Sequence, residues 1–120
     1  MEKTDYWHDL FHRYSTRERQ QRFFLVAASR DNILGFIIGE VRDWEFGSPP
    51  CGWVFRLAVR RDERLAGVGT ALLQALMQAL KRAGVDKLRT ITGRDNSLVL
   101  SFFRSQGLMA APFIPLEIEL

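Results

Sequence analysis

The seven residues from Arg64 to Thr70, Arg-Leu-Ala-Gly-Val-Gly-Thr, have the types and spacing to bind an anion. Gly67 and Gly69 let the backbone turn tightly and approach a ligand closely, and a helix starting near Gly69 leaves its first amides unpaired and aimed outward. Those amides and the positive end of the helix dipole favour a phosphate group, and Arg56, Arg60, Arg61 and Arg64 concentrate charge beside the turn. Ordinary α/β packing also produces strand-to-helix turns with glycine, so the turn alone leaves both uses open. A nucleoside triphosphate loop of the Gly-Lys-Ser/Thr type is absent, because Thr70 follows Gly69 with no lysine between them.

Three carboxylates, Glu40, Asp43 and Glu45, form a second set beside Trp44, Phe46 and Trp53. Carboxylates so placed can take a proton from an ammonium, directly or through water, and would suit a cationic, partly apolar acceptor. The same charges also serve as solvated edge residues that discourage strand aggregation. His8 and His12 would share a helix face, yet no Cys or further His completes a metal set, so no metal site is expected.

The elements that must position these residues follow from periodicity. Trp7, Leu10, Phe11 and Tyr14 mark an amphipathic helix over residues 5–18. Residues 23–29 and 33–44 are β-prone runs joined by Arg30-Asp31-Asn32, which reads as a hairpin. Gly47 to Pro50 make a loop, and a third strand covers 52–60. Leu72, Leu73, Leu76, Met77 and Leu80 form one stripe of a helix over 69–83 that Gly84 stops. A short strand over 86–92 precedes a helix capped within Asp95-Asn96-Ser97 and closed by Gly107. Alternation of Leu116, Ile118 and Leu120 with Glu117 and Glu119 predicts a half-buried terminal strand over 114–120. The order predicts an α/β (α+β) fold in a single domain over 1–120, with a mixed sheet of about five or six strands and about three helices.

A chain of 120 residues, 47% hydrophobic and 26% charged, suits one globular domain with a real core. No apolar run reaches the length of a membrane span and no secretory signal is evident at the start, so neither membrane insertion nor secretion is expected. The single cysteine, Cys51, cannot form an internal disulfide, which fits the cytoplasm. A net charge of +3 is spread along the chain, and a nucleic-acid partner is not expected. Sheet edges and an aromatic helix need covering, which either a homodimer or a monomer can provide.

Two motifs resemble the GNAT superfamily of acyl-CoA-dependent N-acetyltransferases. The first is Arg64, Gly67 and Gly69, placed after the strand Phe55 to Val59 as the pyrophosphate signature of that superfamily is; the second is Asn96, Phe102-Phe103 and Gly107-Leu108. The resemblance covers residues 20–120. It implies acetyl-CoA as the acyl donor, with Arg64, Leu65, Ala66, Gly67, Val68, Gly69 and Thr70 around the pyrophosphate. It further implies that Leu57, Ala58 and Val59 offer backbone groups to the pantetheine arm, with an amide near Ala58 or Val59 polarising the thioester carbonyl. Asn96 would bond the same arm or cap its helix, and Phe103 would stand at the cofactor.

The departures from the family pattern concern proton transfer. Phe103 stands where the family often has a tyrosine acid, and Trp53 where it often has a glutamate base, which leaves Glu40, Asp43 and Glu45 as base candidates. Only Tyr6 and Tyr14 carry a phenol. Relative to the family, the start is about one strand and one helix short. The expected activity is acetyl transfer from acetyl-CoA to a primary amine by direct attack in a ternary complex; the alternative is a CoA-binding module, weak or inactive in catalysis, acting as a sensor or subunit.

Overall fold

The structure, a computed structural model, describes residues 22–43, 47, 49–63 and 67–120. The helix expected over 5–18, with Tyr6, His8, His12 and Tyr14, lies outside the described residues, as do Trp44, Glu45, Phe46, Arg64, Leu65 and Ala66. Four strands form one sheet in the order β1-β2-β3-β4: β1 (Arg22–Ser29), β2 (Asn32–Arg42), β3 (Cys51–Val59) and β4 (Leu88–Arg89). The first three are antiparallel and β4 runs parallel to β3. Two α-helices are described, α1 (Val68–Arg82) and α2 (Ser97–Ser105), with a short 3₁₀ turn at Arg61–Glu63 after β3.

Local chemistry accounts for the boundaries. Ser29 pairs with Asn32 across a two-residue turn in which Arg30 has φ 55°, the left-handed geometry that matches strand twist in tight hairpins. Both helices end alike. Val85 N–H bonds Leu80 C=O and Gly84 N–H bonds Lys81 C=O, while Leu108 N–H bonds Phe103 C=O and Gly107 N–H bonds Arg104 C=O. Each is a Schellman closure in which a glycine at positive φ satisfies carbonyls the helix leaves over.

Strand alternation sorts the sheet into two faces. Phe23, Ile37, Gly39, Gly52, Val54 and Leu57 face α1, whose buried stripe is Val68, Leu72, Leu73, Leu76 and Leu80. The i, i+4 ridge Leu72-Leu76-Leu80 lies in a lane of three glycines. A Cβ on Gly35 would meet Leu72 at 3.3 Å, on Gly39 would meet Leu76 at 2.8 Å, and on Gly52 would meet Leu80 at 2.6 Å. The helix therefore approaches the sheet more closely than side chains at those positions allow. The opposite face carries Phe24 and Phe36, stacked at 5.6 Å, and the buried Ile38, Cys51 and Trp53.

Fewer elements are described than the sequence predicts: four strands and two α-helices rather than about five or six and three. The strand expected over 86–92 shortens to two residues. Gly52 pairs with Leu88 and Trp53 with Arg89, after which the strands part. The terminal strand expected over 114–120 has no ladder in the structure, and Leu116 is 91% exposed. Alternation predicts which side chains would share a face, but hydrogen bonding needs an edge to pair with, and Pro112 and Pro115 cannot donate to one.

Candidate functional site

The site is built where β3 parts from β4. Register shifts between Ile38 and Gly39 on β2, so that Phe55 is an extra residue on β3. This bulge leaves Phe55 60% exposed and sets Arg56 outward beside it. The last link across the parting strands is the Thr90 hydroxyl, which donates to Val54 C=O at 3.2 Å.

Beyond that point the backbone of β3 presents an edge. Arg60 N–H bonds Leu34 C=O at 2.8 Å, and Ala58 pairs with Phe36 in the same phase, so Ala58 spends its backbone groups on β2. Leu57 and Val59, at alternate positions, turn theirs to the side where β4 has ended. Of the three residues predicted to offer backbone groups, Leu57 and Val59 point to the open side and Ala58 does not. The side chains of Leu57 and Val59 pack against the core at the same time.

The chain then passes the Arg61–Glu63 turn and reaches α1 through Gly67, its N-cap, at φ 82° with no side-chain cap bond. An L side chain is strained at that φ, and the space beside Gly67 is open. Gly67 C=O accepts the first helical bond, from Ala71 N–H. Helix geometry leaves the amides of Val68, Gly69 and Thr70 without acceptors inside the helix, and the first turn carries no acidic residue. These residues fit a phosphate ester at the helix end, with the edge at Leu57 continuing toward the bulge.

Helix α2 backs this turn. The Phe102 ring lies 3.4 Å from where a Gly69 Cβ would stand, and Gln106 Nε2 donates to Thr70 Oγ1 at 3.0 Å. Sequence reasoning missed both residues as supports, because Gln106 and Thr70 lie 36 positions apart and no local pattern joins them. Phe103, expected at the cofactor, is 7% exposed and belongs to the core cluster; the ring of Phe102 meets it edge to face at 5.3 Å. Asn96 Oδ1 accepts from Val99 N–H at 3.3 Å, so its carbonyl caps α2. The cap leaves the two N–H donors of the Asn96 side-chain amide for other partners.

Two of the three acidic candidates, Glu40 and Asp43, lie among the described residues. Glu40 stands on the face of Trp53, with Oε2 3.2 Å from Arg22 Nε and Oε1 2.8 Å from Arg42 Nε. Both carboxylate oxygens are thus engaged by guanidinium groups. Asp43 lies on the α1 face, lining a groove with Phe23, Leu25, Val41 and Arg82. The two carboxylates stand on opposite faces of the sheet, so they cannot act on one proton. Trp53, where a base would be convenient, is 8% exposed, and its Nε1 has no hydrogen-bond partner among the described residues. Arg42 lies over the Trp53 ring at 4.6 Å.

Among the described residues, no helix is long and apolar enough to cross a membrane and no group of three His, Cys, Asp or Glu gathers as metal ligands would.

Comparison with known proteins gives a family and a fold. The model of the acetyltransferase (GNAT) family matches residues 1–108. The L-2,4-diaminobutyric acid acetyltransferase of Nocardia farcinica is 35% identical over 79 residues, 66% of this chain and 39% of that protein. N-alpha-acetyltransferase 30 of Schizosaccharomyces pombe is 29% identical over 85 residues, 71% of this chain and 56% of that protein. The chain thus spans between about two fifths and just over half the length of these curated relatives. Among solved structures, AAC(6')-Iy in complex with the bisubstrate analogue CoA-S-monomethyl-acetylneamine superposes with a TM-score of 0.82 at 16% identity, over 99% of this chain and 81% of that one. At that identity the likeness is one of fold.

Proposed function

The chain belongs to the acetyltransferase (GNAT) family, and on that premise we propose that it transfers an acetyl group from acetyl-CoA to a primary amine by direct attack within a ternary complex. The observation that carries this reading is the run of binding groups on one side of β3: outward backbone at Leu57, then the left-handed Gly67 and the uncapped start of α1. Acetyl-CoA supplies the activated acyl group as a thioester. The amides of Val68, Gly69 and Thr70 hold phosphate oxygens, reinforced by the helix dipole and by Arg64. Leu57 offers its N–H and C=O to a peptide-like arm as an added strand would, and an N–H on this edge can serve as donor to an acyl oxygen.

Proton transfer carries less of the catalysis in this reading. Glu40 is held by two arginines, Asp43 faces away, and neither Phe102 nor Phe103 has a proton to give. The rate enhancement then rests on holding the amine against the acyl carbon. Glu45 is the carboxylate left as a base. The similarity to an L-2,4-diaminobutyric acid acetyltransferase and to an N-alpha-acetyltransferase supports a primary amine as acceptor. The single cysteine fits a cytoplasmic setting.

The missing acid and the Trp53 substitution favour a second reading, a CoA-binding module with little or no turnover. Thermal unfolding with acetyl-CoA, against adenosine diphosphate as control, tests what both readings share. At about 100 times its dissociation constant acetyl-CoA adds about 2.7 kcal/mol, a rise in midpoint of roughly ten degrees. Thiol release with a panel of amines then separates them: release supports the transferase, and binding without release supports the module.

A further inference from the structure

Trp53 holds a buried indole N–H with no hydrogen-bond partner among the described residues, on a sheet face that carries apolar side chains and several arginines. A buried donor without an acceptor is costly, and a ligand that supplies the acceptor removes that cost. Four arginines share its face by register: Arg22 and Arg42 on the hairpin, Arg56 after the bulge, and Arg89 paired directly with Trp53 on β4. Glu40 is the one acid among the described strand residues of that face, already bonded to Arg22 and Arg42. Arg42 further stacks on the Trp53 ring and Arg89 on Phe113, each at 4.6 Å. Trp53 precedes the bulge, on the side away from Gly67, and so lies beyond the end of the edge assigned to the acyl donor.

We propose that Trp53 determines acceptor specificity by donating its indole N–H to a carboxylate of the acceptor amine, which makes an amino acid, rather than a polyamine, the preferred substrate class. The inference rests on the transferase reading for its site and reverses the cationic acceptor that the acidic residues suggested in the sequence. The exposed Arg56, on the same face after the bulge, favours a carboxylate there over a second ammonium. A site with a buried donor discriminates strongly against an analogue that lacks the matching acceptor, because the donor is then left unpaired.

Ornithine and putrescine differ by one carboxylate and test this directly. With the full chain and acetyl-CoA, kcat/KM for ornithine is expected to exceed that for putrescine by roughly tenfold or more, and Trp53→Phe to bring the ratio near one. Equal use of both amines by the unaltered protein, or an unchanged ratio in Trp53→Phe, overturns the inference. A second readout needs no turnover. The indole ¹⁵N–¹H resonance of Trp53, assigned by its loss in Trp53→Phe or by elimination with Trp7→Phe and Trp44→Phe, should move downfield with ornithine and stay with putrescine. If neither amine releases thiol, the transferase reading fails while the resonance still decides the inference: movement with ornithine supports it, and no movement overturns it.

Discussion

The Gln106 side-chain amide donates to the Thr70 hydroxyl at 3.0 Å and so ties the end of α2 to the first turn of α1. The turn that offers its amides to a phosphate is thereby held by an element outside its own sequence neighbourhood. Gln106→Ala should lower stability by about 1 kcal/mol, a midpoint shift of roughly 3–5 °C. It should also weaken acetyl-CoA binding several-fold, read by calorimetric titration; unchanged affinity would mean that the turn is rigid without this support.

The glycine lane beneath α1 gives a stability test independent of function. Gly39→Ala sets a Cβ 2.8 Å from the Leu76 methyls and should cost about 1–3 kcal/mol in denaturant unfolding. Combined with Leu76→Ala the loss should fall short of the sum of the single losses by about 1 kcal/mol, since the new methyl fills space that the leucine vacated.

At Gly67 the cost is conformational, because a Cβ there meets nothing within 4 Å. Gly67→Asn, which tolerates left-handed backbone, should stay within about 1 kcal/mol of the parent and still bind acetyl-CoA. Gly67→Val should lose binding. Equal affinities in the two variants would remove the left-handed turn from the binding account.

Asn96 can be divided into its two halves. Asp is as good an N-cap, so Asn96→Asp should keep the melting temperature, whereas Asn96→Ala should cost about 1 kcal/mol. If the amide N–H groups also serve the acyl donor, both variants should raise the acetyl-CoA dissociation constant, Asn96→Asp with no loss of stability; an unchanged constant in Asn96→Asp assigns Asn96 to capping only.

Glu40 is predicted to be structural. Glu40→Gln should lower stability by about 1 kcal/mol, with the difference shrinking in high salt, and leave kcat within about threefold. A general base removed in this way costs about 10²–10⁴-fold, which steady-state kinetics would distinguish at once.

Near-neighbour chemistry made much of the fold legible. The Leu72-Leu76-Leu80 ridge, the stops at Gly84 and Gly107, and the hairpin about Arg30 are set within one turn of chain, where spacing and the tolerance of glycine for positive φ act directly. The glycine turn before α1 was visible for the same reason, and with it the expectation of an anion at a helix start. Partnership across the sheet was not. Alternation in residues 114–120 marks a strand without naming an edge to receive it, and the parallel pairing of β4 stops at Arg89 because β3 bulges at Phe55. Strand phase against β2 decided that Leu57 and Val59, not Ala58, face the open side. Tertiary contact likewise buried Phe103 and set Phe102 against Gly69. It engaged Glu40 with two arginines and put Asp43 on the other face. Sequence by itself determined which local structures form and which chemistry they can offer; the register and packing of distant segments decided which of those groups share a site, since side-chain direction and charge pairing depend on neighbours that spacing does not name.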